Sequence, residues 1–171
     1  MEGREEMKLL IVGTWHTHKA AACATEAEEI GKILAARKHT LLSGGGTGIA
    51  VLVAHAYKKN KGRKHIVYLP DKKEMKRVGE KQEAPADEVI QTDLDYPSRN
   101  ILMVKQCDGI IALHGGLGTL TEVIHAVKDY DKKVAVIDKE AFATWIKAIP
   151  DLREKVFLTP DVKKAVEYLE H

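Results

Sequence analysis

The chain has little cysteine, no strong charge of either sign and no long apolar run, and each shortage closes off a class of function. Its 171 residues include two cysteines, Cys23 and Cys107, far apart and in neither a CxxC nor a ligand-like spacing. That pattern argues against a disulfide scaffold and predicts buried free thiols in a reducing compartment. A formal net charge of +2 is too small to imply nucleic acid as a partner, which needs a concentrated basic face. The one basic run, residues 58–64 (KKNKGRK), falls where a helix should end and reads as cations complementing a helix C-terminus. No stretch approaches the ~20 apolar residues that cross a bilayer, and the opening MEGREEMK has no signal-type hydrophobic region. The expectation is a cytoplasmic protein with neither a membrane nor a nucleic-acid partner. No Pro/Ser-rich linker or low-complexity tract divides the chain, so residues 1–171 are expected to form a single domain.

What is present is an alternation of short apolar runs with helical patterns. Residues 8–14 (KLLIVGT), 40–43 (TLLS), 65–69 (HIVYL), 89–91, 109–113 (GIIAL), 133–138 (KVAVID) and 156–158 read as strands. Helices are predicted over 20–38, 49–59, 98–105 with Ser98 as N-cap, from the HGGLGT loop through Tyr130, 142–148 and 161–169. The segment 71–88 is too charged to bury much and reads as a surface helix or flap, the helix preferred. Strand and helix in strict succession predict an α/β fold: a three-layer Rossmann-like domain with a mostly parallel sheet of about six to seven strands.

Two glycine loops carry the chemistry. GGGTGIAVLVAHA (44–56) and GGLGTLTEVIHA (115–126) place Gly45/Gly115, Gly46/Gly116, Gly48/Gly118, His55/His125 and Ala56/Ala126 in register at an offset of 70, as a βα unit used twice would. Glycines between a buried strand and a helix N-terminus let amide hydrogens reach a ligand where the helix dipole favours negative charge. The candidate phosphate-binding residues are therefore Gly44, Gly45, Gly46, Thr47, Gly48, Gly115, Gly116, Gly118 and Thr119. Neither loop ends in the Lys-Ser/Thr of a P-loop, and the first strand offers GTWHTHK rather than G-x-G-x-x-G, so ATPase and NAD readings lack support. Glu122, just inside the helix after the second loop, either complements the helix dipole or faces the cleft; Arg99 enters from the other side as a fork for phosphate or developing charge.

The run from Ser98 to Glu122, SRN followed by a helix, an apolar strand and HGGLGTLTE, resembles the Lonely Guy (LOG) family, long mislabelled as lysine decarboxylases. The likeness covers roughly residues 8–138. It implies a modified Rossmann fold, a homodimer or larger homo-oligomer, and hydrolysis of the N-glycosidic bond of a nucleoside 5′-monophosphate without a cofactor. The family motif PGGxGTxxE places the functional Arg and Glu on Arg99 and Glu122. His114 replaces the motif proline, Asn100 stands where plant-type enzymes carry lysine, and SGGGTGIA lacks the usual GLM, features of a prokaryotic branch also similar to molybdenum cofactor carrier proteins.

The enzymatic reading makes Glu122 the carboxylate beside the anomeric carbon, where an oxocarbenium-like ribose needs negative charge and an oriented water. The competing reading is a non-catalytic carrier or sensor of a nucleotide or molybdenum cofactor in the same cleft. Trp15, His16, Asn100 and His114 are candidate lining residues, with Trp15 either stacking on a base or packing at the loop entrance. The pairs His16/His18 and Asp93/Asp95 read as solvated loop residues, and no metal is assigned.

Overall fold

The computed structural model describes residues 5–171; the first four residues of the polar N-terminal stretch lie outside the described residues. Strands β1 (Lys8–Gly13), β2 (Thr40–Ser43), β3 (His65–Leu69), β4 (Glu88–Gln91), β5 (Gly109–Leu113), β6 (Lys133–Ile137) and β7 (Phe157–Thr159) form one seven-stranded sheet in the order β4-β3-β2-β1-β5-β6-β7. Every pairing is parallel. The architecture is the Rossmann-like α/β fold.

Side chains on a strand alternate between faces, and here both faces are covered. Leu9, Ile11, Ile111, Leu113, Ala135 and Ile137 point into a core with α2 (Ala24–Ala36), α3 (Ile49–Lys59) and α9 (Val162–Glu170). Their neighbours Leu10, Val12, Ile110, Ala112, Val134 and Val136 point into a second core with α5 (Tyr96–Gln106), α6 (Leu117–Lys128), α7 (Glu140–Ala148) and α8 (Pro150–Lys155). The continuous apolar runs are the signature of this double burial, each fully buried aliphatic side chain contributing about 1.5–3 kcal/mol.

Several local expectations are corrected. The predicted helix 20–38 is two helices, α1 (Thr17–Ala21) and α2, broken at Cys23 (φ −114°), which turns fully inward to pack in one cluster with Ala20 and Ala27. The N-cap of α5 is Asp95 rather than Ser98: its carboxylate accepts from the Ser98 amide at 2.8 Å and Pro97 occupies the first turn. The Asp95 carboxylate satisfies an orphan first-turn amide, that of Ser98 itself, so the helix starts three residues before the position a Ser98 cap would give it. Hydrogen bonding from the Ser98 side chain and then from its amide holds the Asp95 carboxyl below its usual range. Helix α8 went unpredicted because it is only six residues long, though Pro150 at its start and Asp151 in its first turn are the expected signals.

The charged segment 71–88 is helical only over α4 (Lys72–Val78), capped by Asp71 accepting from the Lys73 amide and closed by Gly79 at φ +72°. Residues 79–87 then fold back over the first glycine loop before β4. The basic run does not form an open cationic face. Lys58 pairs with Asp87, Arg63 with Glu6, and Lys64 Nζ lies 2.6 Å from Glu88. No helix among the described residues is long and apolar enough to cross a membrane.

The strand order reverses at β1, which lies between β2 and β5. Such a switch point opens a crevice at the carboxyl ends of the strands, where ligands collect in sheets of this type.

Candidate functional site

That crevice is occupied by a cavity of about 820 Å³, large enough for a nucleotide-sized ligand. Its floor is the end of β1, its flanks are the loops after β2 and β5, and α5 and α6 close one side.

Arg99 sits in the first turn of α5, and the Asp95 cap and Pro97 fix where that turn begins. Its side chain is buried, and burial pulls the guanidinium below its ordinary value while the charge of Glu122 pushes it back up. The fork is held in place from three directions. Nη1 donates to the Tyr68 carbonyl at 2.8 Å and the Gly44 carbonyl at 3.1 Å, and Nε donates to Asn100 Oδ1 at 2.9 Å. The guanidinium also lies over the Tyr96 ring, 5.2 Å from its centroid. A Cβ on Gly44 would come within 2.9 Å of Nη1, so the absent side chain is what lets the fork lie against the loop. Among the described residues, Nη2 has no hydrogen-bond partner and remains available to a ligand.

Glu122 projects from α6 into the same cavity. Burial in its surroundings raises the carboxyl to about 7, with Arg99 pulling the other way. A carboxyl that titrates near neutrality, beside a buried cation, suits proton transfer at physiological pH. Among the described residues the two groups form no ion pair within 4.0 Å; they act on each other through charge alone.

The two glycine loops differ in what they offer. Helix α6 begins at Gly116, which has no side chain to cap it, so the first-turn amides point outward. Gly116, Leu117 and Gly118 are exposed, and Gly115 leaves room for Thr119, whose Oγ1 would sit 2.3 Å from a Cβ there. The first loop is closed by its own protein. The Gly46 amide donates to Gln82 Oε1 at 2.9 Å, its carbonyl accepts from the Glu83 amide at 3.0 Å, and the Gly45 amide donates to Ser43 Oγ at 3.1 Å. Ser43 in turn bonds the buried His65 ring at 2.8 Å, and the other ring nitrogen, Nδ1, donates to the Pro85 carbonyl.

His114 adopts φ +48°, a left-handed conformation uncommon for a residue with a side chain. Its carbonyl accepts from the Thr14 amide at 2.6 Å, tying the β5 loop to the end of β1, and its buried Nδ1 has no hydrogen-bond partner among the described residues.

Gly44, Gly45, Thr47, Gly115, Gly116, Gly118 and Thr119 line the cavity together with Arg99 and Glu122. Trp15, His16, Asn100 and His114 do so too. Gly46 and Gly48 lie outside its walls. Among the described residues no group of three or more His, Cys, Asp or Glu is placed to hold a metal, and burial pushes the Cys23 and Cys107 thiols up to about 11 and 12. Sequence reasoning passed over Glu80, Tyr96, Lys19 and Trp145, which also line the cavity. Tyr96 donates its hydroxyl to Glu80, a contact between segments sixteen residues apart that no local pattern signals.

Comparison with known proteins places this geometry among relatives. An uncharacterised protein of Archaeoglobus fulgidus is 32% identical over 133 residues, covering 75% of this chain and 80% of that protein. A cytokinin riboside 5′-monophosphate phosphoribohydrolase of Mycobacterium tuberculosis is 28% identical, covering 93% of this chain and 95% of its own. The Moco carrier protein of Chlamydomonas reinhardtii superposes with a TM-score of 0.79 at 25% identity, over 96% of this chain and 98% of that one. The SLOG cluster4 family model matches residues 6–166, and the LOG-like resemblance carried by HGGLGTLTE is thereby secured: the chain belongs to the SLOG cluster4 family.

Proposed function

We propose that the cavity binds a nucleoside 5′-monophosphate and hydrolyses its N-glycosidic bond, releasing free base and ribose 5-phosphate. The observation that carries this reading is the pair at its centre: Glu122, raised to about 7, and a buried Arg99 with one guanidinium nitrogen unengaged.

In this reading the 5′-phosphate lies against the α6 N-terminus, where the amides following Gly116 and the Thr119 hydroxyl face it and the helix dipole favours its charge. His114 Nδ1 adds a polar atom otherwise left without a partner. Of the first loop, Gly44, Gly45 and Thr47 form wall; Gly46 has given its amide to Gln82. Arg99 Nη2 orients the phosphate or ribose.

Cleavage breaks the bond from C1′ to the base nitrogen, and positive charge develops on the ribose. Ionised Glu122 stabilises that charge and takes a proton from the attacking water, whose oxygen bonds C1′. Protonated Glu122 then gives up that proton, directly or through solvent, to the departing base nitrogen, so one water is consumed, neutral base and ribose 5-phosphate leave, and the carboxylate is regenerated. No cofactor is required. The assembly is proposed to be a homodimer or larger, acting in the cytoplasm on a small-molecule partner, with residues 1–171 working as one domain.

The structural likeness to a Moco carrier favours a second reading, in which the cavity only holds its ligand. Incubation of the purified protein with AMP, GMP, CMP and UMP, with base and ribose 5-phosphate quantified by chromatography, decides between them. Release of both products in equal amounts supports hydrolysis. A nucleotide-dependent rise in melting temperature with no release points to the carrier.

A further inference from the structure

The large apolar side chains left exposed among the described residues are not scattered. Trp15, Val78, Leu117 and Trp145 all line the cavity, at 51%, 41%, 75% and 40% exposure; Val89 and Ile149 do not. Both tryptophans of the chain are in this group. An apolar surface gathered at the mouth of a polar pocket is a binding feature.

The backbone at Trp15 is tied to the first glycine loop. Its carbonyl accepts from Thr47 Oγ1 at 2.5 Å, and the next amide, that of His16, donates to Thr14 Oγ1 at 3.2 Å. A Cβ on Gly48 would come within 2.7 Å of the Trp15 Cα, so the glycine at φ +72° leaves the space in which this backbone sits. The indole stacks on the His16 ring with centroids 4.2 Å apart and planes 28° from parallel. One face of the indole is therefore backed by a second ring, on backbone that the loop hydrogen bonds tie down.

We propose that Trp15 is the stacking platform for the planar ring of the ligand, and that the first glycine loop serves to seat it. This deepens the reading above and rests on it for the identity of the ring as a nucleobase. The two loops then divide the work: the open one at Gly116 meets the anion, and the closed one at Gly48 builds the ring support. A π-face is common to every base and grows with ring area, so the site prefers purines to pyrimidines and is tolerant of the exocyclic groups on the purine edge.

The test measures affinity for AMP, GMP, UMP, adenosine and ribose 5-phosphate in a Glu122→Gln background, where turnover is removed, with and without Trp15→Ala and Trp15→Phe. The expected result is that Trp15→Ala weakens AMP, GMP and adenosine by about 10-fold, leaves ribose 5-phosphate within ~2-fold, and erases the purine preference. Trp15→Phe restores most of the loss. Unchanged AMP affinity in Trp15→Ala, equal binding of AMP and UMP before the substitution, or an equal loss for ribose 5-phosphate each overturn the proposal. Failure of ribose 5-phosphate to bind at all, while adenosine still senses Trp15, removes the phosphate reading and leaves the platform standing. No binding by any of the five removes both.

Discussion

Arg99 and Glu122 face one cavity from consecutive helices, each perturbed by burial and each opposed by the charge of the other, without touching as an ion pair. The separation matters. A direct salt bridge would hold Glu122 ionised and spend the guanidinium, whereas here both keep capacity for a ligand.

The first prediction concerns what keeps Arg99 in place. In Gly44→Ala the new methyl meets the guanidinium at Nη1 and Cζ, 2.9 and 3.1 Å away, and the fork must tilt. Displacements of this size cost on the order of 100-fold in catalysis. The expected outcome is a fall of ~10- to 100-fold in kcat/KM for AMP hydrolysis with a melting temperature within a few degrees of wild type, checked by steady-state assay and thermal melts.

Glu122 sets a pH dependence whose sign follows from its role. As the base that receives a proton from water it must be ionised, so kcat/KM rises with pH and levels above about 7. A profile falling through that range would show the carboxyl acting in its protonated form, as an acid toward the leaving base.

The cap of α5 links folding to the site. Asp95→Ala removes the acceptor for the Ser98 amide and is expected to lower the melting temperature by ~2–4 °C. The carboxylate is exposed and does not line the cavity, so loss of activity should follow loss of order in the first turn, and Asp95→Asn should recover both.

Sequence made most of this arrangement visible. The five inner apolar runs became parallel strands because burial on both faces leaves no alternation to obscure them, as in KLLIVG and GIIAL, whereas the edge strands β4 and β7 are short and less buried. Arg99 and Glu122 were found through the order of motif residues along the chain. What stayed hidden depends on contacts between distant segments: Gln82 closing Gly46, Glu80 meeting Tyr96, Trp145 reaching the cavity from α7. Glycine composition alone could not distinguish an open loop from a filled one. The Asp95 cap was missed for a different reason, since Asp95 and Ser98 are both good N-caps and only the geometry selects between them.

His114 makes a prediction about the motif itself. At φ +48° the position suits glycine and is closed to proline, whose ring fixes φ near −65°. His114→Gly is expected to hold or slightly raise stability, while His114→Pro disturbs the bond from the Thr14 amide and lowers stability by about 2 kcal/mol. Denaturant titration of the two variants checks this directly.

The proposed hydrolysis depends above all on Glu122 doing chemistry. Wild type and Glu122→Gln, each mixed in excess with AMP in a single-turnover experiment, give the clearest reading. Wild type should convert bound AMP to adenine and ribose 5-phosphate, and Glu122→Gln should bind AMP within ~3-fold of wild type yet release neither, a loss of at least ~100-fold. Equal release from both proteins, or intact AMP recovered from the wild type after prolonged binding, would contradict it.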